Sequence, residues 1–396
     1  MQLSEAHSWI QQRKPTIIDA LRQLVEKNTF TSDVRSVDEG MNMLCHLAED
    51  MGFDIQVILG RHRLIKGRQQ HRPRILLLTH IDTVHRPDSG FLHYQPQDQE
   101  FVRGPGIGDM KGGVVMALWA MQALRELGVK ADIQMSVSAD EEIGSPTIRD
   151  WYLSGKHEAD YAIGMEPGFP QGPLTATVPM GVVHARKGSG FMHFRVKGQS
   201  AHAGGAWEHG LSAIEAVAQR ITRIHALSDF ERGITTNVGV VQGGTTQNTV
   251  ADLCEAQVNY RFFTQADGQA LRQAIFDIVQ EKAVYNPVLD RWEEVEILDE
   301  VVMPAMEASA HNQVLVDAVL EEANYLGQNV VPIKRGGGSD TNYMNASGVP
   351  AICGMGAPAE GIHTANERIH LPLLFQRLEL LIRVLAKLSK RHTLQD

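Results

Sequence analysis

A chain of 396 residues is long for one hydrophobic core, so two domains are expected. Its composition, 43% hydrophobic and 21% charged, is that of an ordinary globular protein, and a formal net charge of −10 argues against nucleic acid or an anionic membrane as main partner. Cys45, Cys254 and Cys353 are far apart and odd in number, which argues against a disulfide framework or a cysteine-type zinc site.

The segment Met1–Ser8 carries no signal pattern and no apolar run reaches membrane-spanning length, so a reducing cytoplasm is the expected location. Residues 4–27 read as an amphipathic helix with Ile10, Ile17, Ile18, Leu21 and Leu24 on one face. A second helix is expected at 37–51 and a strand at 54–59. Residues 74–80, Arg-Ile-Leu-Leu-Leu-Thr-His, form a nearly continuous apolar run, the pattern of a strand covered on both faces of a parallel sheet. His80 and Asp82 lie where it ends, which in open α/β sheets is where sites form.

The stretch 103–113, Arg-Gly-Pro-Gly-Ile-Gly-Asp-Met-Lys-Gly-Gly, holds one carboxylate, Asp109, among five glycines. It precedes a helical pattern from Val114 to Leu127 that Gly128 can cap. An acid in a tight turn before a helix suits an anion site or a metal site. A phosphate loop is excluded, because the Lys-Ser/Thr pair is missing and Asp109 would repel the phosphate. Strands at 132–139 and 161–165 run into Glu141-Glu142 and Glu166-Pro167. From about 188 the texture changes: strand 190–197, helix 209–228, strands 236–242 and 250–262, helix 266–283 and strand 293–301. This βαββαβ order describes a ferredoxin-like insertion. A helix at 311–326, glycines 336–338, a strand at 350–353, the His363 loop and a helix at 371–391 follow.

His80, Asp82, Asp109, Glu141, Glu142, Glu166 and His363 thus gather at strand ends and turns. Histidine and carboxylate donors without cysteine suit catalytic zinc or a related ion that keeps positions open for water. Two ions about 3.5–4 Å apart need a shared carboxylate, which a central Asp109 would supply. Asp82 is placed to orient His80. Adjacent Glu141 and Glu142 divide naturally into one ligand and one general base.

Six motifs occur in order: His80-Ile-Asp82, Gly106-Ile-Gly-Asp109-Met-Lys-Gly-Gly113, Asp140-Glu141-Glu142-Ile-Gly144, Glu166-Pro167, Gly198-Gln-Ser-Ala-His202-Ala-Gly204 and Gly361-Ile-His363. Together they resemble the co-catalytic zinc exopeptidase family of aminoacylase, acetylornithine deacetylase, succinyl-diaminopimelate desuccinylase and glutamate carboxypeptidase, the last branch most closely. The resemblance implies an α/β fold, a mixed sheet flanked by helices, with the insertion as a lid and dimerisation domain. The catalytic domain would comprise 1–187 and 301–396, and the lid 188–300.

It also implies two Zn(II) ions, for which Co(II) or Mn(II) could substitute, with His80 and Glu166 on one, Glu142 and His363 on the other, and Asp109 bridging. A cis peptide would follow Asp109. Glu141 would be the base, and His202 would reach the partner subunit's site to stabilise an oxyanion. Asn248 would assist it, Arg261 would bind a substrate carboxylate, and Gly338 and Ser339 would line the substrate. Glu166, where related aminopeptidases tend to carry Asp, favours carboxypeptidase or deacylase action on a small or short-peptide substrate with a free carboxylate. Two other readings stand beside this one: aminopeptidase or dipeptidase action, and a catalytically silent metal-binding dimer, which Glu141 argues against. A surface pairing of Arg261 with Glu255, a solvated His202 and ordinary structural histidines at 85, 157, 184, 193, 209 and 370 complete the expectations.

Overall fold

The computed structural model describes residues 5–67 and 72–391. The chain divides into two compact units, one drawn from Met1–Ala185, Ala308–Arg335 and Ser339–Asp396, the other from Arg186–Glu307 and Gly336–Gly338.

The first unit is built on a six-stranded mixed sheet. Its strands lie side by side in the order Asp54–Ile58, His62–Lys66, Asp132–Ser138, Arg74–His80, Tyr161–Gly164 and Ala351–Ile352. The last four run parallel and the first two join antiparallel. Every residue of the central strand after Arg74 is buried, as its unbroken apolar run requires. The helix Gly112–Glu126 packs against this strand and against the helices Ala6–Glu26 and Leu371–Leu388. That sandwich buries Val114, Val115, Met116, Ala117 and Leu118 completely. Gly113 makes it possible, since a Cβ there would lie 2.1 Å from the carbonyl oxygen of Met165.

Three strands of five or more residues carry no clear sequence signal: His62–Lys66, Met180–Arg186 and Val330–Arg335. The first is short and has basic residues at both ends, and the other two are interrupted by Gly181 and Pro332. The helix expected at 37–51 starts earlier, at Val34, because Asp33 caps it by accepting the Ser36 N–H at 3.1 Å. Residue 4, where the first helix was expected to begin, lies outside the described residues, and the last helix ends at Leu388 rather than 391.

The second unit is a four-stranded antiparallel sheet in the order Thr235–Gly243, Leu253–Phe262, Gly188–Lys197 and Glu294–Met303. The helices Ala213–His225 and Gln265–Gln280 pack on it, giving the βαββαβ order. Alternate residues of Gly188–Lys197 are buried, so Met192, Phe194 and Val196 enter the core with Val217, Ile275 and Tyr260. The helix expected to begin at 209 begins at Ala213, where Ser212 accepts the Glu215 N–H at 3.2 Å and residues 207–209 form a separate short turn. All three cysteines are buried free thiols, and among the described residues no helix is long and apolar enough to cross a membrane.

Candidate metal centre

Parallel pairing brings the carboxyl ends of three strands to one edge of the first unit's sheet. His80 ends the central strand opposite Ser138, and Leu78 lies opposite Gly164. The chain continues from those partners into Glu141-Glu142 and into Glu166. Asp109 sits in the tight turn Ile107–Lys111 that starts the buried helix, and the Asp109–Met110 peptide is cis. His363 follows Gly361 in a loop, at φ +63°.

The two oxygens of Asp109 face different histidines. Oδ1 lies 3.3 Å from Nε2 of His80, and Oδ2 lies 3.1 Å from Nε2 of His363. Glu142 is 3.3 Å from the His363 ring nitrogen, while Glu141 and Glu166 each lie 3.9 Å from His80 Nε2. Two groups therefore have donor atoms mutually within 4.8 Å: His80, Asp109 and Glu142, and His80, Glu141 and Glu166.

Asp82 serves both neighbours of this cluster. Its main-chain oxygen lies 3.0 Å from His80 Nδ1, which it can orient. Its carboxylate accepts the N–H groups of Glu141 at 3.1 Å and Glu142 at 3.2 Å, and the Thr31 hydroxyl at 2.9 Å. The turn that carries the two glutamates is thereby tied to the strand that carries His80.

Four carboxylates crowd two imidazoles, and the protonation equilibria reflect it. Burial pushes the Glu141 carboxyl well above its ordinary range, with the charge of Glu166 adding to this. Glu142 is raised too, chiefly by burial. For Asp109 burial acts in the same sense but is outweighed by the hydrogen bonds of His363 and His80, so its pKa is lowered. Hydrogen bonds to Asp109 and then Glu142 push His363 up to about 10. Histidine and carboxylate donors in this number, with no thiolate, fit divalent zinc or a similar ion. Oε1 of Glu142 supports the fit: it is buried and has no hydrogen-bond partner among the described residues.

The remaining candidates behave differently. His202, Asn248, Arg261 and Gly338 belong to the second unit. Nδ1 of His202 accepts the backbone N–H groups of Gly204 at 3.2 Å and Gly205 at 3.0 Å, which leaves Nε2 to carry the ring proton. Asn248 accepts the Thr246 hydroxyl at 3.0 Å and gives its carbonyl to Ala203 at 2.9 Å. Arg261 donates to Asn259 at 3.1 Å, and burial lowers its pKa. The surface pairing with Glu255 does not form, because Glu255 is engaged by Arg195 and His193. The Gly338 carbonyl accepts from Arg186 at 3.0 Å. Ser339, in the first unit, is buried and spends its hydroxyl on capping the helix Asp340–Ala346.

The sequence gives no functional weight to Glu367 or His85, yet both are buried beside the Asp109 turn. Nε2 of His85 lies 2.5 Å from Oε2 of Glu367. A signal was present in the position of Glu367, four residues after His363 in the same loop.

The family model described as Peptidase family M20/M25/M40 matches residues 76–390. Carboxypeptidase G2 of Pseudomonas sp. (strain RS-16) is 25% identical over 388 residues, covering 95% of this chain and 90% of that protein. Acetylornithine deacetylase of Proteus mirabilis (strain HI4320) is 26% identical over 302 residues, 70% of this chain and 73% of that protein. Among solved structures, the aminopeptidase PepT of Bacillus cereus ATCC 10987 superposes with a TM-score of 0.76 at 21% identity, over 94% of this chain and 98% of its own, a likeness of fold. With the family model spanning most of its length and a histidine-carboxylate cluster at the strand ends, the chain belongs to peptidase family M20/M25/M40 and is a metal-dependent hydrolase.

Proposed function

We propose that this chain is a di-zinc amidohydrolase that releases an amino acid with a free α-carboxylate. Its reaction is that of a glutamate-releasing carboxypeptidase or of an N-acyl-amino-acid deacylase. The observation that carries this reading is the divided carboxylate of Asp109, one oxygen toward His80 and the other toward His363. His80 and Glu166 would hold one ion, Glu142 and His363 the other, and Asp109 both. Co(II) or Mn(II) could replace zinc at donors of this kind.

Bound divalent ions supply positive charge that lowers the pKa of a water and polarises an amide carbonyl. Glu141 takes the proton of the attacking water, and the C–O bond forms as the carbonyl π electrons move to oxygen. The C–N bond then breaks, and Glu141 returns the proton to the leaving amine. Among the described residues Nε2–H of His202 has no hydrogen-bond acceptor, and such a donor is suited to an oxyanion, with Asn248 in support and the partner subunit's site as its destination. The second unit would then be the lid and the surface of a homodimer, and the site of action the cytoplasm.

Arg261 is the residue proposed to bind the substrate carboxylate, and Gly338 and Ser339 are proposed to line the substrate. Its planar fork can grip a carboxylate through two hydrogen bonds. Among the described residues no carboxylate lies within ion-pair distance of it, so the group is available. Two relatives named as a carboxypeptidase and a deacetylase support amide cleavage of this type. The test is a panel of N-acyl amino acids and C-terminal glutamate conjugates, each as free acid and as carboxamide, with the zinc-loaded protein and Arg261→Met. The free acid should be at least about tenfold better in kcat/KM, and Arg261→Met should erase that preference. Equal turnover of both forms, or hydrolysis confined to peptides with a free amino terminus, would exclude this substrate class.

A further inference from the structure

Glycine-rich turns expose backbone N–H groups and are ready-made anion sites. The turn before the buried helix is one, and its anion is supplied by the chain itself. Glu367 is 0% exposed. Its Oε1 accepts the N–H of Gly108 at 2.7 Å and of Asp109 at 3.0 Å, and its Oε2 accepts the N–H of Gly106 at 3.2 Å. The main-chain oxygen of Glu367 adds Gly104 at 3.2 Å. The fourth donor to its carboxylate is Nε2 of His85 at 2.5 Å, and the His85 backbone is tied in turn to the Asn28 amide at 3.0 Å.

This arrangement joins two distant parts of the metal cluster. Glu367 lies four residues after His363 and binds the turn that carries Asp109, so one buried side chain links the loops that supply both. The bond to the Asp109 N–H is made to the very residue whose carboxylate faces both histidines. Glycine is required for the wrap: a Cβ at Gly108 would lie 2.4 Å from Cβ of Ala359 and 3.4 Å from Oε1 of Glu367.

Resting on the dinuclear reading above, we propose that Glu367, oriented by His85, is a positioning residue that fixes the Asp109 turn relative to His363 and so sets the affinity and geometry of the metal pair. It touches no reacting atom. Its effect passes through the backbone of residues 106–109, as orienting groups around a metal commonly act. A carboxylate is needed for the task, because four donors face two oxygens. The amide of Glu367→Gln must turn its NH2 either toward Gly108 and Asp109 or toward Gly106 and His85, setting donor against donor.

The test uses metal-free full-length protein titrated with Co(II), read by calorimetry and by the visible absorption of bound cobalt, and then by kinetics. The wild type should take up two Co(II). Glu367→Gln should bind the second about tenfold or more weakly, within the range known for groups that orient ligands. Its cobalt spectrum should change, and kcat should fall while KM stays within about twofold. His85→Ala should show the same defect in smaller measure, and His85→Gln, whose amide can still donate to Glu367, should recover most of it. A folded Glu367→Gln protein with two Co(II) bound at wild-type affinity and an unchanged spectrum overturns the proposal. If Glu367→Gln fails to fold, identical Co(II) affinity and spectra in His85→Ala, His85→Gln and wild type overturn it instead. Uptake of fewer than two Co(II) by the wild type is a different result, which removes the dinuclear reading and this inference with it.

Discussion

His80 and Asp82 stand two residues apart, and Nδ1 of the first lies 3.0 Å from the main-chain oxygen of the second and 3.4 Å from its carboxylate. The main chain of Asp82 therefore takes the closer contact to the imidazole, while its side chain holds the backbone of Glu141 and Glu142.

Asp82→Ala should accordingly damage two segments that carry candidate ligands at once. It leaves two turn N–H groups without their acceptor, at a cost of about 1–3 kcal/mol for each that stays dry. Metal affinity is expected to fall about 10–100-fold, measured by titration of the metal-free protein. Unchanged affinity and unchanged unfolding midpoint would show that Asp82 organises neither segment.

Glu141→Ala separates proton transfer from metal binding. The variant should retain the wild type's metal content by elemental analysis and lose about 10²–10⁴-fold in kcat, the range for a general base. Near-wild-type turnover in a fully metallated variant would remove Glu141 from that role.

Nε2–H of His202 faces no acceptor within its own loop, where Nδ1 takes the Gly204 and Gly205 N–H groups. If it serves a partner's site, mixing His202→Ala with Glu141→Ala chains should restore activity, because one site in each heterodimer then keeps both residues. Verified heterodimers with no recovery would place the two residues in the same site or remove His202 from catalysis.

Tyr260, in the second unit, offers a test of electrostatics. It is fully buried, and its hydroxyl has no hydrogen-bond partner among the described residues. Burial, and then the charge of Glu300, push it up to about 12. A pKa raised above its unfolded value of about 10 means that the folded state holds the proton longer. The stability this gives is complete below pH about 10 and is lost as pH rises through about 12. Tyr260→Phe removes the titration and forfeits no hydrogen bond. Between pH 9 and 12 its stability relative to wild type should improve by about 1–3 kcal/mol, followed by urea unfolding. Parallel stability curves would show that the hydroxyl titrates normally.

Much of this architecture is legible in the chain because its signals are local. A continuous apolar run from Ile75 to Leu78 identifies a strand covered on both faces, and alternation from Gly190 to Lys197 identifies one covered on a single face. The order βαββαβ follows from those periods. Strands such as His62–Lys66 and Val330–Arg335 escape because their own residues carry charge or proline, and because each is completed by a partner far along the chain, Asp132–Ser138 for the first and Met180–Arg186 for the second. Helix starts move by a few residues for a similar reason, since Asp33 and Ser212 declare themselves as caps only once their side chains meet a backbone N–H.

For the metal centre, the sequence by itself determined the inventory: which histidines and acids stand at strand ends, and that a glycine-rich turn carries Asp109. Residue type and local spacing are enough for that. Only the tertiary structure decided direction and partnership. Parallel pairing sets His80 beside the strands that lead to Glu141 and Glu166, and the turn Ile107–Lys111 holds Asp109 with one oxygen toward His80 and the other toward His363, 254 residues away. It also places the carboxylate of Glu367, rather than a ligand, among the N–H groups of the glycine turn. An orienting group carries no period and no motif of its own. Its role lies in hydrogen bonds to backbone hundreds of residues distant, and folding alone brings those together.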